Sequence, residues 1–389
     1  MLAAAAPLAA LLATLASNGL APLAGLVALL LLAATLRDDP RSLISAPVAL
    51  MVALLAWMAL SATWALVPGD AVSTLYGLAP LLLGGGVIAT VALRLPDDAA
   101  TRLRAPLLAA YFLLLALIAV EIATGGGIAR TLAAWRHHPI RLWQLSALSR
   151  PVVLAALLSW PCALLLWRGR HLGPMLLCLV AAVVIAWGGD HYSTRGALLL
   201  GVAAAAIVWL GGRWAAAAIT AVLVLLVVTA PLLPLGPLSP RSSGALVEPI
   251  RNSGLHRLYI WEFAAHRIAE HPMSGWGLDS SRSMPGGDAP TPAGGQVMMM
   301  HPHNGPLQVW LELGVPGMLV LAGLLVLIGR GLFRINDRGA RALASGLLVT
   351  AAVLACLSFG VWQTWWVGTL ALTIGWTVAA LRSFEGEAE

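Results

Sequence analysis

Apolar runs close to 20 residues long recur from one end of the chain to the other, parted by short connections. A helix of that length matches a hydrocarbon layer of roughly 30 Å. Lipid offers the backbone no hydrogen-bond partner, so such runs must be helical. Only 10% of the 389 residues are charged and 60% are hydrophobic, against about 25% charged in a soluble domain. The mean hydropathy is +0.87. A water-soluble protein of this size cannot cover its surface with so few charges. A soluble enzyme, a nucleic-acid-binding domain and a disordered chain are therefore excluded.

About twelve spans are expected, near 3–16, 20–36, 44–66, 72–93, 105–124, 151–168, 172–188, 195–211, 214–234, 306–329, 342–360 and 362–382. The chain divides into an N-terminal membrane part (1–233), a large outer loop (234–304) and a C-terminal membrane part (305–389). No internal repeat and no inverted pair of broken helices is read from the pattern. The N-terminus lacks the basic region of a cleaved signal peptide and reads as half of a membrane hairpin. All 23 basic residues are arginine. With both termini inside, the short inner connections carry Arg37, Arg94, Arg168, Arg213 and Arg330, as the positive-inside rule asks. The high pI thus reports orientation, not nucleic acid. Cys162, Cys178 and Cys356 lie in apolar runs without metal-ligand spacing, so neither disulfide nor zinc is expected.

Two outer segments depart from this pattern. Residues 125–150 mix Arg130, Arg136, Arg141 and Arg150 with Trp135 and Trp143, as an amphipathic surface helix does. Residues 234–300 form the longest polar stretch, helical near 245–269 and rich in Gly, Pro and Ser from 272 to 295. Connections of that length in compact proteins usually serve function. Positive charge on the outer face opposes the topology signal; substrate binding is the reading preferred here, and Arg136 is one candidate for it.

Three local signals carry chemistry. His301-Pro302-His303-Asn304 closes the long loop, with Asn304 placed as helix N-cap and Pro306 in the first turn. A histidine there can accept a proton near neutral pH. Ser193-Thr194-Arg195-Gly196 opens a span, where a bulky anion can approach Arg195 beside a glycine. Arg257 and Trp261 are four residues apart and share a helix face, ahead of Ser274-Gly275-Trp276-Gly277. Carboxylates in the loop are scattered, without a Mg²⁺ or Mn²⁺ cage. Guanidinium groups and imidazoles without a metal suit a phosphate-bearing substrate.

These motifs, together with Leu307 and Leu311-Glu312-Leu313-Gly314, resemble the O-antigen ligase family, within the wider ligase/polymerase group, over about residues 190–320. The resemblance implies an all-α, GT-C-like polytopic protein of the bacterial inner membrane, its active site facing the periplasm. It implies a metal-independent glycosyltransferase without cofactor. The donor is a polysaccharide on undecaprenyl pyrophosphate, and the acceptor is the lipid A–core oligosaccharide. Carried onto this chain, His303 takes the catalytic histidine position, while Arg195 and Arg257 take those that hold the pyrophosphate. His301, Asn304 and Trp261 join the binding candidates, and either His301 or His303 remains open as the base. The alternatives are a polymerase, a protein O-oligosaccharyltransferase of the same group, or a polysaccharide transporter. Few charges fall deep in the expected spans, which argues against the last.

Overall fold

The protein is described from a computed structural model. It describes residues 1–96, 98–135, 148–247 and 252–382. The helices are α1 (Leu2–Leu15), α2 (Leu20–Asp38), α3 (Ala46–Ser61), α4 (Pro68–Ala92), α5 (Asp98–Ala123), α6 (Gly127–Trp135) and α7 (Ser149–Arg168). There follow α8 (Leu172–Trp187), α9 (Tyr192–Val228), α10 (Pro240–Val247), α11 (Asn252–Glu270), α12 (Gly305–Arg334), α13 (Arg338–Leu357) and α14 (Thr364–Arg382). No named strand occurs among the described residues.

Eight of the described helices are long and apolar enough to cross a membrane. Three more apolar helices, α1, α3 and α8, are shorter. The chain is an all-α, multi-pass membrane protein. The two runs expected at 195–211 and 214–234 are the halves of α9, which breaks at Gly212 (φ 66°). The run expected to begin at 306 is also broken, at Gly314 (φ 60°). A short helix, Gly305 to Leu313, therefore precedes the long part of α12. The break at Gly212 falls where the expected runs 195–211 and 214–234 part, whereas the break at Gly314 did not show in the hydropathy pattern.

The core is built around α7, buried along its length from Pro151 to Leu166. Its apolar surface runs all round, as a helix enclosed by other helices requires. Small residues let neighbours approach it. Side chains at Gly201 on α9 and Gly346 on α13 would each collide with the buried Trp160 ring, at 2.8 and 2.2 Å. Close backbone approach of this kind is the usual basis of helix association in lipid.

The break at Gly314 governs the site. A helix end leaves carbonyls without intrahelical donors, and buried orphans are costly. Here the Gly275-Trp276-Gly277 stretch lies against them. Trp276 N–H donates to Leu311 O at 2.8 Å and Gly277 N–H to Glu312 O at 2.9 Å. The Trp57 indole donates to Leu313 O at 2.8 Å. On the far side of the break, Val315 N–H donates to Pro272 O at 3.0 Å. The glycines are required by proximity: a Cβ on Gly275 would stand 2.4 Å from Glu312 backbone carbon, and one on Gly277 2.4 Å from Ala65 Cα.

Of the outer segment at 125–150, the described part is α6. Its first turn is capped by the Glu121 carboxylate, which accepts from Ile128 N at 2.6 Å and Ala129 N at 3.1 Å. Arg136 lies outside the described residues.

Gly314→Ala places a Cβ 2.5 Å from Met273 O in a left-handed conformation, and a loss of about 1–3 kcal/mol of stability is expected. Gly25→Ala, whose Cβ meets nothing within 4 Å, should be neutral or stabilising by up to about 1 kcal/mol. Thermal unfolding of the two variants in detergent checks the contrast.

Candidate functional site

The loop and the membrane part meet through α11 and the short helix that opens α12. Leu258, Trp261, Ala264 and Ile268 recur at helical spacing on one face of α11 and pack on Leu307 and Leu311. Trp261 is buried, and its indole N–H donates to Pro302 O at 2.9 Å. Trp261 therefore holds the His-Pro-His segment against the bundle. Asn304 is the N-cap of α12, its Oδ1 accepting from Leu307 N at 3.1 Å. These contacts make both residues supports of the histidines.

His303 has a positive φ of 51°, a region that histidine enters more readily than most residues. This turns its ring toward the end of α13. Nδ1 lies 3.1 Å from Ser358 O. A carbonyl only accepts, so Nδ1 carries the proton and Nε2 keeps a lone pair. His301 is arranged the other way. Its Nδ1 accepts the His303 backbone N–H at 3.1 Å, which leaves the proton of the neutral ring on Nε2. The two rings lie 4.2 Å apart between centroids. Gly360 makes room for His301, since a Cβ there would stand 2.8 Å from the ring.

Burial is the main cause that pushes both imidazoles below their ordinary pKa. His301 falls to about 3, through burial and then the charges of His303, Arg282 and Arg257. His303 is lowered by burial, with a partial counter-effect from Ser358 O and further lowering from Arg257 and His256. Both rings are neutral at pH 7. Arg257 stands close enough to influence both; it is half-buried, and burial lowers its own pKa. No hydrogen bond or ion pair joins its guanidinium to another described residue.

Arg195 is placed differently. Its Nε donates to Ala186 O at 2.9 Å and its Nη2 to Trp187 O at 3.3 Å and to Gly189 O. The guanidinium lies over the Tyr192 and Trp187 rings, at 4.6 and 5.2 Å. It thus caps the C-terminal end of α8, where a cation is favoured. Its neighbour Ser193 reaches Leu357 O at 3.2 Å, one residue from the carbonyl that holds His303.

A buried carboxylate joins the parts. Glu312 is fully buried. Its Oε2 accepts from Asp279 N and the Trp362 indole, both at 2.6 Å. Its Oε1 accepts from Gln308 Nε2 at 3.1 Å and from Ser281 Oγ. Asp279 in turn accepts from Arg282 Nε at 2.9 Å and Thr74 Oγ1 at 2.8 Å. Gln363, next to Trp362, stands 3.5 Å from His301 Nε2. Arg282, Gln363 and the structural role of Glu312 were not singled out from sequence. Arg282 reads there as one more loop charge, and only the contact with Asp279 distinguishes it. Among the described residues no group of three or more His, Cys, Asp or Glu side chains converges as a metal site would require.

Residues 191–322 match the family described as O-Antigen ligase. Over this segment the chain is similar to the O-antigen ligase family. The matched stretch holds Arg195, Arg257, both histidines and Glu312. A relative from Rickettsia conorii named "Putative polysaccharide ligase" is 31% identical over 30% of this chain and 29% of its own length. One of the same description from Rickettsia prowazekii is 33% identical over 30% of this chain and 29% of its own. One from Rickettsia felis is 23% identical over 81% of this chain and 75% of its own. The chain thus spans under a third of the first two relatives, and the likeness rests on the segment that builds the site.

The neutral imidazoles set a pH dependence of stability. An unfolded imidazole takes its proton near pH 6.5, whereas folded His301 does so only at about 3. Between these values the unfolded state binds more protons, so stability rises with pH. It is fully present above the unfolded value and is lost as pH falls below it. The thermal midpoint should therefore drop from pH 7 to 4.5, and His301→Gln should flatten that descent.

Proposed function

We propose that this protein is a metal-independent glycosyltransferase of the bacterial inner membrane. It moves polysaccharide from undecaprenyl pyrophosphate to the lipid A–core oligosaccharide on the periplasmic side. The observation that carries the reading is the neutral His303 ring with its Nε2 lone pair, close to Arg257, inside the segment shared with the O-antigen ligases. The basic short connections on the opposite face support the orientation. A GT-C-like arrangement of the helices belongs to the same proposal.

The chemistry follows from these groups. A sugar on pyrophosphate already has a good leaving group, so the protein need only deprotonate an acceptor and stabilise the departing charge. His303 Nε2 takes the proton of the acceptor hydroxyl. The hydroxyl oxygen bonds to the anomeric carbon as the bond to the pyrophosphate oxygen breaks, with inversion at that carbon. Undecaprenyl pyrophosphate leaves, its negative charge matched by Arg257. His301 has its Nδ1 lone pair taken by the His303 amide and does not compete for the proton. Asn304 and Trp261 hold the histidine segment, and Arg195 braces the α8–α9 turn behind it.

The test is transfer by the full-length protein with lipid-linked glycan and lipid A–core. His303→Ala should lower turnover by about 100-fold or more while the thermal midpoint is kept. Full activity in that variant overturns the assignment. Transfer only to a second lipid-linked glycan would make the protein a polymerase. Activity should persist in excess EDTA, and rescue of a collapsed activity by Mg²⁺ would refute the metal-independent reaction.

The two arginines should separate in the same assay. Arg257→Lys loses the bidentate fork and should raise the donor KM about tenfold or more. Arg195→Lys loses the multiple-carbonyl cap and should instead lower the thermal midpoint.

A further inference from the structure

A second cationic site adjoins the histidines and uses neither Arg195 nor Arg257. A pocket of about 300 Å³ lies where α4, α7 and α14 begin and the 279–283 loop crosses them. Its lining includes Arg150, Arg282, Ser73, Thr364, Gln363 and Trp365. That volume is at the low end for small-molecule sites. The lining is cationic and hydroxyl-rich, whereas a site for a lipid tail would be apolar.

The charge balance favours an anion. Arg282 is held by one carboxylate, that of Asp279, through Nε alone, so its two terminal nitrogens are not engaged by that pair. Arg150 is held by neutral groups: its Nη1 donates to Ser17 Oγ at 2.9 Å and Asn18 Oδ1 at 2.6 Å, and its guanidinium lies over the Trp365 ring. Among the described residues one acid therefore stands against two fixed guanidinium groups, which leaves the pocket lining net positive. The partners hold both groups in place, so little side-chain freedom is lost when an anion binds. Hydroxyls of Ser73 and Thr364 and the Gln363 amide supply the mixed donors and acceptors that a sugar requires.

The position ties the pocket to the reaction. Gln363 lines it and reaches toward His301 Nε2, and Trp365 donates its indole N–H to Gln363 Oε1 at 2.8 Å. Arg150 and Arg282 line this pocket, whereas Arg257 does not and lies on α11. The cations thus fall into two groups. A single diphosphate on Arg257 leaves the second group unoccupied.

We propose that this pocket binds the acceptor, through a sugar that carries a phosphate or carboxylate near the hydroxyl to be glycosylated. The proposal rests on the transferase reading above and adds the chemical class of the acceptor to it.

Three forms of the lipid A–core oligosaccharide test it with the full-length protein in nanodiscs: intact, enzymatically dephosphorylated, and carboxyl-reduced. For the wild type, removal of the recognised anion should raise the acceptor KM about tenfold or more, and the arm that does so identifies the anion. Arg150→Gln and Arg282→Gln should raise the KM for the intact acceptor to a similar degree. They should add little for the neutral form and leave the donor KM within twofold. Equal KM values for all three acceptors in the wild type overturn the proposal without any variant. A rise in donor KM in either variant overturns it too, since the pocket would then hold the donor pyrophosphate. Direct binding of the soluble oligosaccharides separates this outcome from failure of the transferase reading. If the wild type transfers to no acceptor yet binds the anionic form more tightly, the pocket assignment stands and the reaction falls. Equal binding of anionic and neutral forms sinks the pocket assignment.

Discussion

A carboxylate inside a membrane protein must find its full set of donors, because lipid and packed side chains return none of the solvation it loses. Glu312 meets that condition with a backbone amide, an indole, a side-chain amide and a hydroxyl. Each donor comes from a piece that the site needs in place. Asp279 and Ser281 fix the loop that carries Arg282. Trp362 fixes the turn that carries Gln363 and Gly360. Gln308 passes the link on, its Oε1 accepting from Val361 N at 2.9 Å. The short helix from Gly305 to Leu313 is thus clamped at both ends, by Asn304 at its start and by the Gly275–Gly277 stretch at the Gly314 break. His303, two residues before that helix, inherits its fixed position.

The pair of histidines shows how one environment gives two roles. Both rings are buried and neutral, yet their backbone partners oppose each other. Ser358 O accepts from one ring and so fixes its proton on Nδ1, while the His303 amide donates to the other and fixes its proton on Nε2. One ring presents a lone pair on Nε2, and its neighbour has the lone pair of Nδ1 taken by a backbone amide. Around them, Arg257 lies on α11, and Arg150 and Arg282 line the pocket where α4, α7 and α14 begin.

Much of this was legible in sequence because membrane helices leave strong signals. The eight long apolar helices fall on expected apolar runs, and the cap at Asn304 followed from its place before Gly305-Pro306. The helical loop stretch was also readable, whereas its apolar face was not singled out. Other features were hidden for physical reasons. The break at Gly314 was hidden because one glycine in a membrane helix carries little information, whereas the break at Gly212 falls where the expected runs 195–211 and 214–234 part. Trp261 reads as a binding aromatic but donates to Pro302 O, and Arg195 reads as an anion ligand but caps α8. Both depend on which carbonyls lie nearby, and periodicity does not encode that. Glu312 stood out as a motif residue, but its four partners come from positions 279, 281, 308 and 362, contacts that only the folded chain creates.

The central claim concerns a proton on one ring. Side-chain ¹⁵N NMR of histidine-labelled protein in nanodiscs, with His303 assigned by loss of its signals in His303→Gln, reads that proton directly. The account predicts a neutral ring at pH 7 with Nδ1 protonated and Nε2 bare. A ring protonated on Nε2, or an imidazolium at that pH, would contradict it.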